Sequence, residues 1–267
     1  VKRLQLAAGH DLAWRETGGG PPLVLLHGWS MSSAVFSEML PLLGAEQQVL
    51  APDLRGHGAS GPGGGYALDD FAADLEEWLL ALGHSAIDLL GWSLGGQVAI
   101  RLATAGRIQV RRLLLVATTA RFVAAADWQH GLPEGQVRVM ARDLRRAYAK
   151  TQGDFFQLQF AGEVISRQRL REIVAFAVRG GGLPAPEVAL VALETLRGGD
   201  LRVELPRLAC PVLVQQGEGD RITLPGAAKA LAAACRQSRL VLQPGVGHAP
   251  FLSTPQASAA LWREFLQ

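Results

Sequence analysis

Ser93 sits in Gly91-Trp92-Ser93-Leu94-Gly95-Gly96, after the apolar run Ile87, Leu89, Leu90 and before a helix-like stretch from Gln97 to Ala105. A strand that turns into a helix this abruptly holds its apex residue in a strained backbone conformation, and small neighbours, here Gly91 and Gly95, let the chain turn. The Ser93 hydroxyl is expected to stand exposed above a sheet, with a helix N-terminus behind it. A serine hydroxyl is a weak nucleophile at neutral pH and needs an adjacent base. Of the six histidines (His10, His27, His57, His84, His130 and His248), only His248 follows the last apolar run, Leu240 to Leu242. Its setting, Gly245-Val246-Gly247-His248-Ala249-Pro250, suits a loop that lays an imidazole over a sheet edge. The base in turn needs an acid to orient it. The β-type run from Pro211 to Gln216 leads into Gly217-Glu218-Gly219-Asp220-Arg221, where Asp220 is favoured and Glu218 is the competitor.

Attack on a carbonyl also needs donors in place before charge develops on the oxygen. One is expected to be the Leu94 N–H, directly after the nucleophile. The other is expected from the loop that ends Leu23-Val24-Leu25-Leu26-His27-Gly28-Trp29-Ser30, with the Trp29 N–H as the donor and its indole walling an acyl pocket. His27 resembles a second base, but a His-Gly pair at this point shapes a loop, and it is read as structural. The loop Asp53-Leu54-Arg55-Gly56-His57-Gly58-Ala59-Ser60 is read the same way, its charges bracing its neighbours.

The elements that must position these groups alternate. Leu4 to Ala8 and Leu12 to Glu16 form an opening hairpin. Strands are expected at Leu23 to Leu26, Val49 to Ala51, Ile87 to Leu90, Arg112 to Ala117, Val212 to Gln215 and Leu240 to Leu242. Helices are expected at Ala34 to Leu43, at Leu68 to Leu82 and after the strands that follow. This order implies an α/β protein with a mostly parallel sheet covered by helices on both faces.

The rhythm breaks between Thr119 and Leu205. Residues 119–205 are expected to form an inserted set of helices, a lid, on a core made of 1–118 and 206–267. Its first helix is expected from Glu134 to Thr151. Val137, Met140, Ala141, Leu144, Ala147 and Tyr148 fall on one face at a 3.6-residue period, and Arg138, Arg142, Arg145, Arg146 and Lys150 on the other. Arg121 to Ala185 holds ten Lys or Arg against six Asp or Glu, so the formal net charge of +2 conceals a basic insertion on a slightly acidic body. Such a face suits an acidic protein partner or, more plainly, solvent. No aromatic platform accompanies the charges, so nucleic acid is not expected.

A chain of 267 residues with 49% hydrophobic content can bury a full core. No apolar run approaches the ~20 residues of a membrane span, and Val1-Lys2-Arg3-Leu4-Gln5 has no signal-peptide core, so a cytoplasmic protein is expected. Cys210 and Cys235 stand beside apolar residues and are read as buried thiols. No Cys/His spacing suggests a metal and no glycine loop suggests a nucleotide, so no cofactor is expected.

His27-Gly28-Trp29, Gly91-Trp92-Ser93-Leu94-Gly95-Gly96 and Gly247-His248-Ala249-Pro250-Phe251-Leu252-Ser253-Thr254-Pro255 together resemble the α/β-hydrolase superfamily. Within it they resemble the pimeloyl-acyl-carrier-protein methyl ester carboxylesterases of biotin synthesis. Leu183 to Val188 and Gly199-Asp200-Leu201-Arg202 resemble that family's exit from the lid. The resemblance implies a Ser93, Asp220, His248 triad in that chain order, with Trp29 and Leu94 as the oxyanion hole. It implies Trp29, Phe155, Phe156 and Gln159 along the substrate channel, and Lys150, Arg167 and Arg171 facing an acidic acyl-carrier protein. Asp154 departs from the basic pattern. The implied enzyme is a monomer that cuts a methyl ester at the far end of a straight acyl chain and spares the carrier thioester. The main alternative is a generalist short-acyl carboxylesterase acting on small esters with no protein partner. A thioesterase, a carbon–carbon hydrolase or a non-catalytic receptor on the same scaffold remain further readings. Haloalkane dehalogenase and epoxide hydrolase chemistry is disfavoured, because it uses an aspartate where position 93 is serine.

Overall fold

Leu23 to Leu26 is an unbroken apolar run because both faces of its strand are covered, and successive side chains go to opposite faces. A computed structural model, which describes all 267 residues, Val1–Gln267, shows this partition directly. Val24 and Leu26 join one buried cluster, with Leu89, Leu113, Val212 and Val214, under helices α2 (Leu68–Ala81), α3 (Leu94–Ala105) and α8 (Pro225–Ala234). Leu23 and Leu25 join the other, with Leu90, Leu114, Val116 and Leu213, under α1 (Met39–Leu43) and α10 (Pro255–Leu266).

The sheet has eight strands: β1 (Lys2–Gln5), β2 (Asp11–Thr17), β3 (Pro22–Leu26), β4 (Gln48–Pro52), β5 (Ala86–Trp92), β6 (Gln109–Val116), β7 (Val212–Gly217) and β8 (Ser238–Gln243). Their order is β1-β2-β4-β3-β5-β6-β7-β8. The opening hairpin pairs antiparallel, β2 runs antiparallel to β4, and every other pairing is parallel. A short helix, α9 (Pro250–Ser253), precedes α10. No helix is long and apolar enough to cross a membrane. Cys210 and Cys235 are buried free thiols, and burial pushes both up, Cys235 to about 11.

The chain leaves the sheet after β6 and returns at β7. Between them lie α4 (Glu134–Arg146), α5 (Tyr148–Leu158), α6 (Arg167–Ile173), a π-helical turn at Val174–Arg179 and α7 (Pro186–Gly198). The α4 residues Val137, Ala141 and Leu144 are buried, as the helical period requires.

Two helices differ from the sequence expectation. The helix expected over Ala34 to Leu43 is a 3-10 turn, Ser33–Phe36, followed by the short α1. Pro41 has no N–H to give the Ser37 carbonyl, which interrupts the helical ladder there, and the Ser37 N–H and hydroxyl both donate to the Ala34 carbonyl, at 3.1 and 2.7 Å, closing the 3-10 turn before it. The helix expected over Glu134 to Thr151 breaks at Ala147 (φ −148°, ψ 60°). Neither proline nor glycine marks that break. It re-aims α5 so that Tyr148 and Gln152 make tertiary hydrogen bonds, which override local helix propensity.

Candidate active site

Ser93 lies between β5 and α3 with φ 55° and ψ −118°. For a residue with a Cβ this is a strained conformation that only its surroundings can hold. The Ser93 N–H donates to the Val116 carbonyl at 3.0 Å, and the Ser93 carbonyl accepts from the Gly96 N–H at 2.9 Å and the Thr118 hydroxyl at 2.5 Å. A Cβ on Gly91 would collide with the Gly95 backbone, and one on Gly95 with the Leu26 carbonyl. The expectation of an exposed side chain needs correction: Ser93 is only 7% exposed.

His248 and Asp220 form a buried pair, with Nδ1 donating to Asp220 Oδ2 at 2.8 Å. Carrying its proton on Nδ1 leaves the imidazole Nε2 lone pair available as a base. The loop is held at three points. The His248 N–H donates to the Gln159 carbonyl at 2.8 Å, the Gly247 N–H to Glu163 Oε1 at 2.7 Å, and Trp92 Nε1 to the His248 carbonyl at 2.9 Å. The residue before the candidate nucleophile therefore latches the loop of the candidate base. Burial pushes the Glu163 carboxyl up, against the hydrogen bonds from Ser253 and Gly247.

Asp220 also accepts from Gln216 Nε2 at 2.8 Å, the Thr223 hydroxyl at 2.7 Å, and the Ile222 and Thr223 N–H groups at 2.8 and 3.0 Å. Burial alone would push this carboxyl up, but the charge and hydrogen bond of His248 and the other donors outweigh it and hold Asp220 below the usual carboxylate range. Glu218, the competitor, is exposed and points no oxygen at His248. Thr223 and Gln216 escaped the sequence reading. The Asp-x-x-Thr spacing, in which an aspartate caps the N–H and hydroxyl three residues on, was the available signal for Thr223. Gln216 gave none.

The Trp29 and Leu94 N–H groups, the expected oxyanion donors, have no acceptor within the protein. Trp29 is buried; its Nε1 donates to the Ala189 carbonyl of α7 at 2.8 Å, and its indole meets Phe155 edge-on at 4.9 Å between centroids. His27 has both ring nitrogens occupied: Nδ1 donates to the Gly28 carbonyl at 2.9 Å, and Nε2 accepts from the Leu54 N–H at 2.9 Å. Burial, against the nearby Asp53 charge, pushes it down, so it is a neutral brace rather than a base. Asp53 and Arg55 brace the neighbouring loop: Asp53 takes N–H donors from Ser33 and Ala59, and Arg55 grips Asp74.

On the insertion, a cavity of about 470 Å³ opens between α4 and α5, lined by apolar Val137, Met140 and Phe155 and by charged Asp143, Arg146 and Lys150 among others; Ser93, Asp220 and His248 do not line it. Phe155 separates it from Trp29. Phe156 and Gln159 are buried and do not line it; Phe156 packs edge-on to Phe160. The basic face is less one-sided than its sequence. Arg138 pairs with Glu134 at 3.1 Å, Arg142 with Asp143 at 3.0 Å, and Lys150 with Asp154 at 2.5 Å. Arg167 and Arg171 are exposed and make no ion pair. No three His, Cys, Asp or Glu side chains converge as a metal site would require.

The profile of the alpha/beta hydrolase fold family matches residues 21–255. A protein of Nitrosomonas europaea named pimeloyl-[acyl-carrier protein] methyl ester esterase is 38% identical, over 90% of this chain and 93% of its own length. One of the same name from Xanthomonas oryzae is 36% identical, over 92% of this chain and 95% of its own. Among solved structures, a hydrolase from Pseudomonas aeruginosa superposes with a TM-score of 0.85 at 28% identity, over 99% of this chain and 97% of that one. An esterase from Exiguobacterium antarcticum reaches a TM-score of 0.91 at 22% identity, over 99% and 98%, which bears on the fold alone. The chain belongs to the α/β-hydrolase fold family, and within it groups with the pimeloyl-[acyl-carrier protein] methyl ester esterases.

Proposed function

We propose that the chain is a serine carboxylesterase that hydrolyses the methyl ester of pimeloyl-[acyl-carrier protein]. The observation that carries the hydrolase reading is the buried Asp220–His248 pair, latched by Trp92 to a strained Ser93 beside two N–H groups without acceptors. The substrate reading rests on the names of the relatives.

In this reading His248 Nε2 takes the Ser93 proton as Ser93 Oγ attacks the ester carbonyl. Asp220 holds the tautomer and stabilises the imidazolium that forms. The Trp29 and Leu94 N–H groups receive the oxyanion; one such donor is worth about 3 kcal/mol at the transition state. Methanol leaves with the proton from His248. Water then attacks the acyl-enzyme by the same route, and the free carboxylate departs. Residues 119–205 act as a lid, with Phe155, Phe156 and Gln159 beside the acyl chain. The carrier protein meets Lys150, Arg167 and Arg171. Every group named comes from one chain, so a monomer suffices.

One observation favours the second reading, a generalist esterase: the Lys150–Asp154 pair removes a free cation from the docking face. Turnover of the carrier-bound methyl ester against a short p-nitrophenyl ester, at low and raised salt, separates the two. A preference for the carrier substrate that fades with salt supports docking. Equal, salt-indifferent turnover supports the generalist.

A further inference from the structure

The helical insertion holds both residues of the turn that carries the Trp29 N–H. The Trp29 indole is held by the Ala189 carbonyl and Phe155. Ser30, the next residue, has φ 57°, the left-handed region that a residue with a Cβ adopts only when its surroundings impose it. Gln152 of α5 grips this residue: its Nε2 donates to the Ser30 hydroxyl oxygen at 2.7 Å, and Gln152 is 2% exposed and Ser30 0%. The same Nε2 reaches the Tyr148 hydroxyl at 3.2 Å, and that hydroxyl donates to the Pro184 carbonyl at 2.5 Å. The last bond fixes the amide's orientation. With its proton committed to Pro184, the phenol can only accept, so the amide nitrogen must face it. Gln152 Oε1 is buried without a partner, so the amide is held through its nitrogen alone.

We propose that Gln152 is a positioning residue for the oxyanion hole. By pinning Ser30 it fixes the peptide after Trp29 and hence the aim of the Trp29 N–H, so the hole is complete only while α5 is seated on the core. The inference rests on the ester hydrolysis proposed above. It makes the insertion part of the machinery for every ester, including one too small to touch the cavity between α4 and α5.

The test uses the full chain, a short p-nitrophenyl ester, and a trifluoromethyl ketone whose adduct with Ser93 carries an oxyanion. In Gln152→Leu, kcat is expected to fall about tenfold with KM within about twofold, and the affinity for the ketone to weaken by the same factor as kcat/KM. Ser30→Gly removes the hydroxyl while tolerating the positive φ, so it folds even if Gln152→Leu does not; a loss of similar size is expected. The double variant should be no worse than either single one. A kcat within about twofold of the parent, or losses that multiply in the double variant, would overturn the proposal. So would a Gln152→Leu protein that loses thermal stability but keeps its affinity for the ketone. A parent protein that neither turns over the ester nor binds the ketone would overturn the hydrolase reading itself. An active parent with indifferent variants would overturn only the role of Gln152.

Discussion

The Thr223 hydroxyl and His248 Nδ1 converge on one oxygen: they lie 2.7 and 2.8 Å from Asp220 Oδ2 and 3.3 Å from each other. The carboxylate paired with His248 is thus shared with a hydroxyl that also stabilises its charge. Replacing Thr223 with Val keeps the shape and removes the donor. A hydrogen bond to a charged group contributes about 1.5–3 kcal/mol, so the urea midpoint at pH 7 should fall accordingly. Because the native state holds Asp220 below its unfolded value, its stabilising share is complete above about pH 4 and is lost as pH falls through the native value. The difference between parent and Thr223→Val should therefore be full at pH 7 and shrink in acid. A difference that does not vary with pH would mean that the hydroxyl only fills space.

Asp220 and Glu218 share a loop, but only Asp220 touches the imidazole. Asp220→Asn presents a donor or a weak acceptor to Nδ1 and favours the wrong tautomer, so kcat should fall about 10⁴-fold. Glu218→Gln should change kcat by less than about twofold. Steady-state kinetics on a p-nitrophenyl ester ranks the two, and the reverse order would move the acid.

Ser93 holds its φ of 55° at an energetic cost. Ser93→Gly removes the side chain that makes this conformation expensive, and the serine hydroxyl has no hydrogen-bond partner within the protein to lose. The variant should be inactive, unlabelled by a fluorophosphonate, and more stable by about 1–3 kcal/mol in a thermal or urea melt. A less stable variant would show that the elbow carries no strain.

His57 is buried, and burial and the neighbouring His27 push it down to about 3. Below the ordinary histidine value of about 6.5 the unfolded chain takes up a proton that the native His57 refuses, so stability falls as pH drops from about 6.5 toward 3. One such proton gives a slope of about 1.4 kcal/mol per pH unit. His57→Asn keeps a donor near the Arg55 carbonyl, which His57 Nδ1 reaches at 3.0 Å, and should flatten the slope between about pH 6.5 and 5. Equal slopes would place the acid sensitivity elsewhere.

Much of this architecture was legible because burial on both faces leaves unbroken apolar runs such as Leu23 to Leu26, each ending in a loop that carries chemistry. The glycines around Ser93, the Asp220 loop and the late His248 are local in sequence, and local spacing was enough to pick them out as candidates. Pro41 was also legible, and reading it would have shortened the first helix. The break at Ala147 was not, because its cause lies in partners far along the chain: Pro184 for Tyr148 and Ser30 for Gln152. The pairing of Lys150 with Asp154 lay in plain view at a spacing of four, yet the surplus of arginines around it masked how much of the face is neutralised.

Trp92 contributes more than a latch. Its ring centroid lies 5.6 Å from that of His248 and its flat face is shut away from water. An imidazolium beside an indole drains its excited state by electron transfer, whereas a neutral imidazole does so far less. Trp92 is thus a built-in reporter: a change of charge on His248 would be felt by an emitter the protein already owns, one of its six tryptophans.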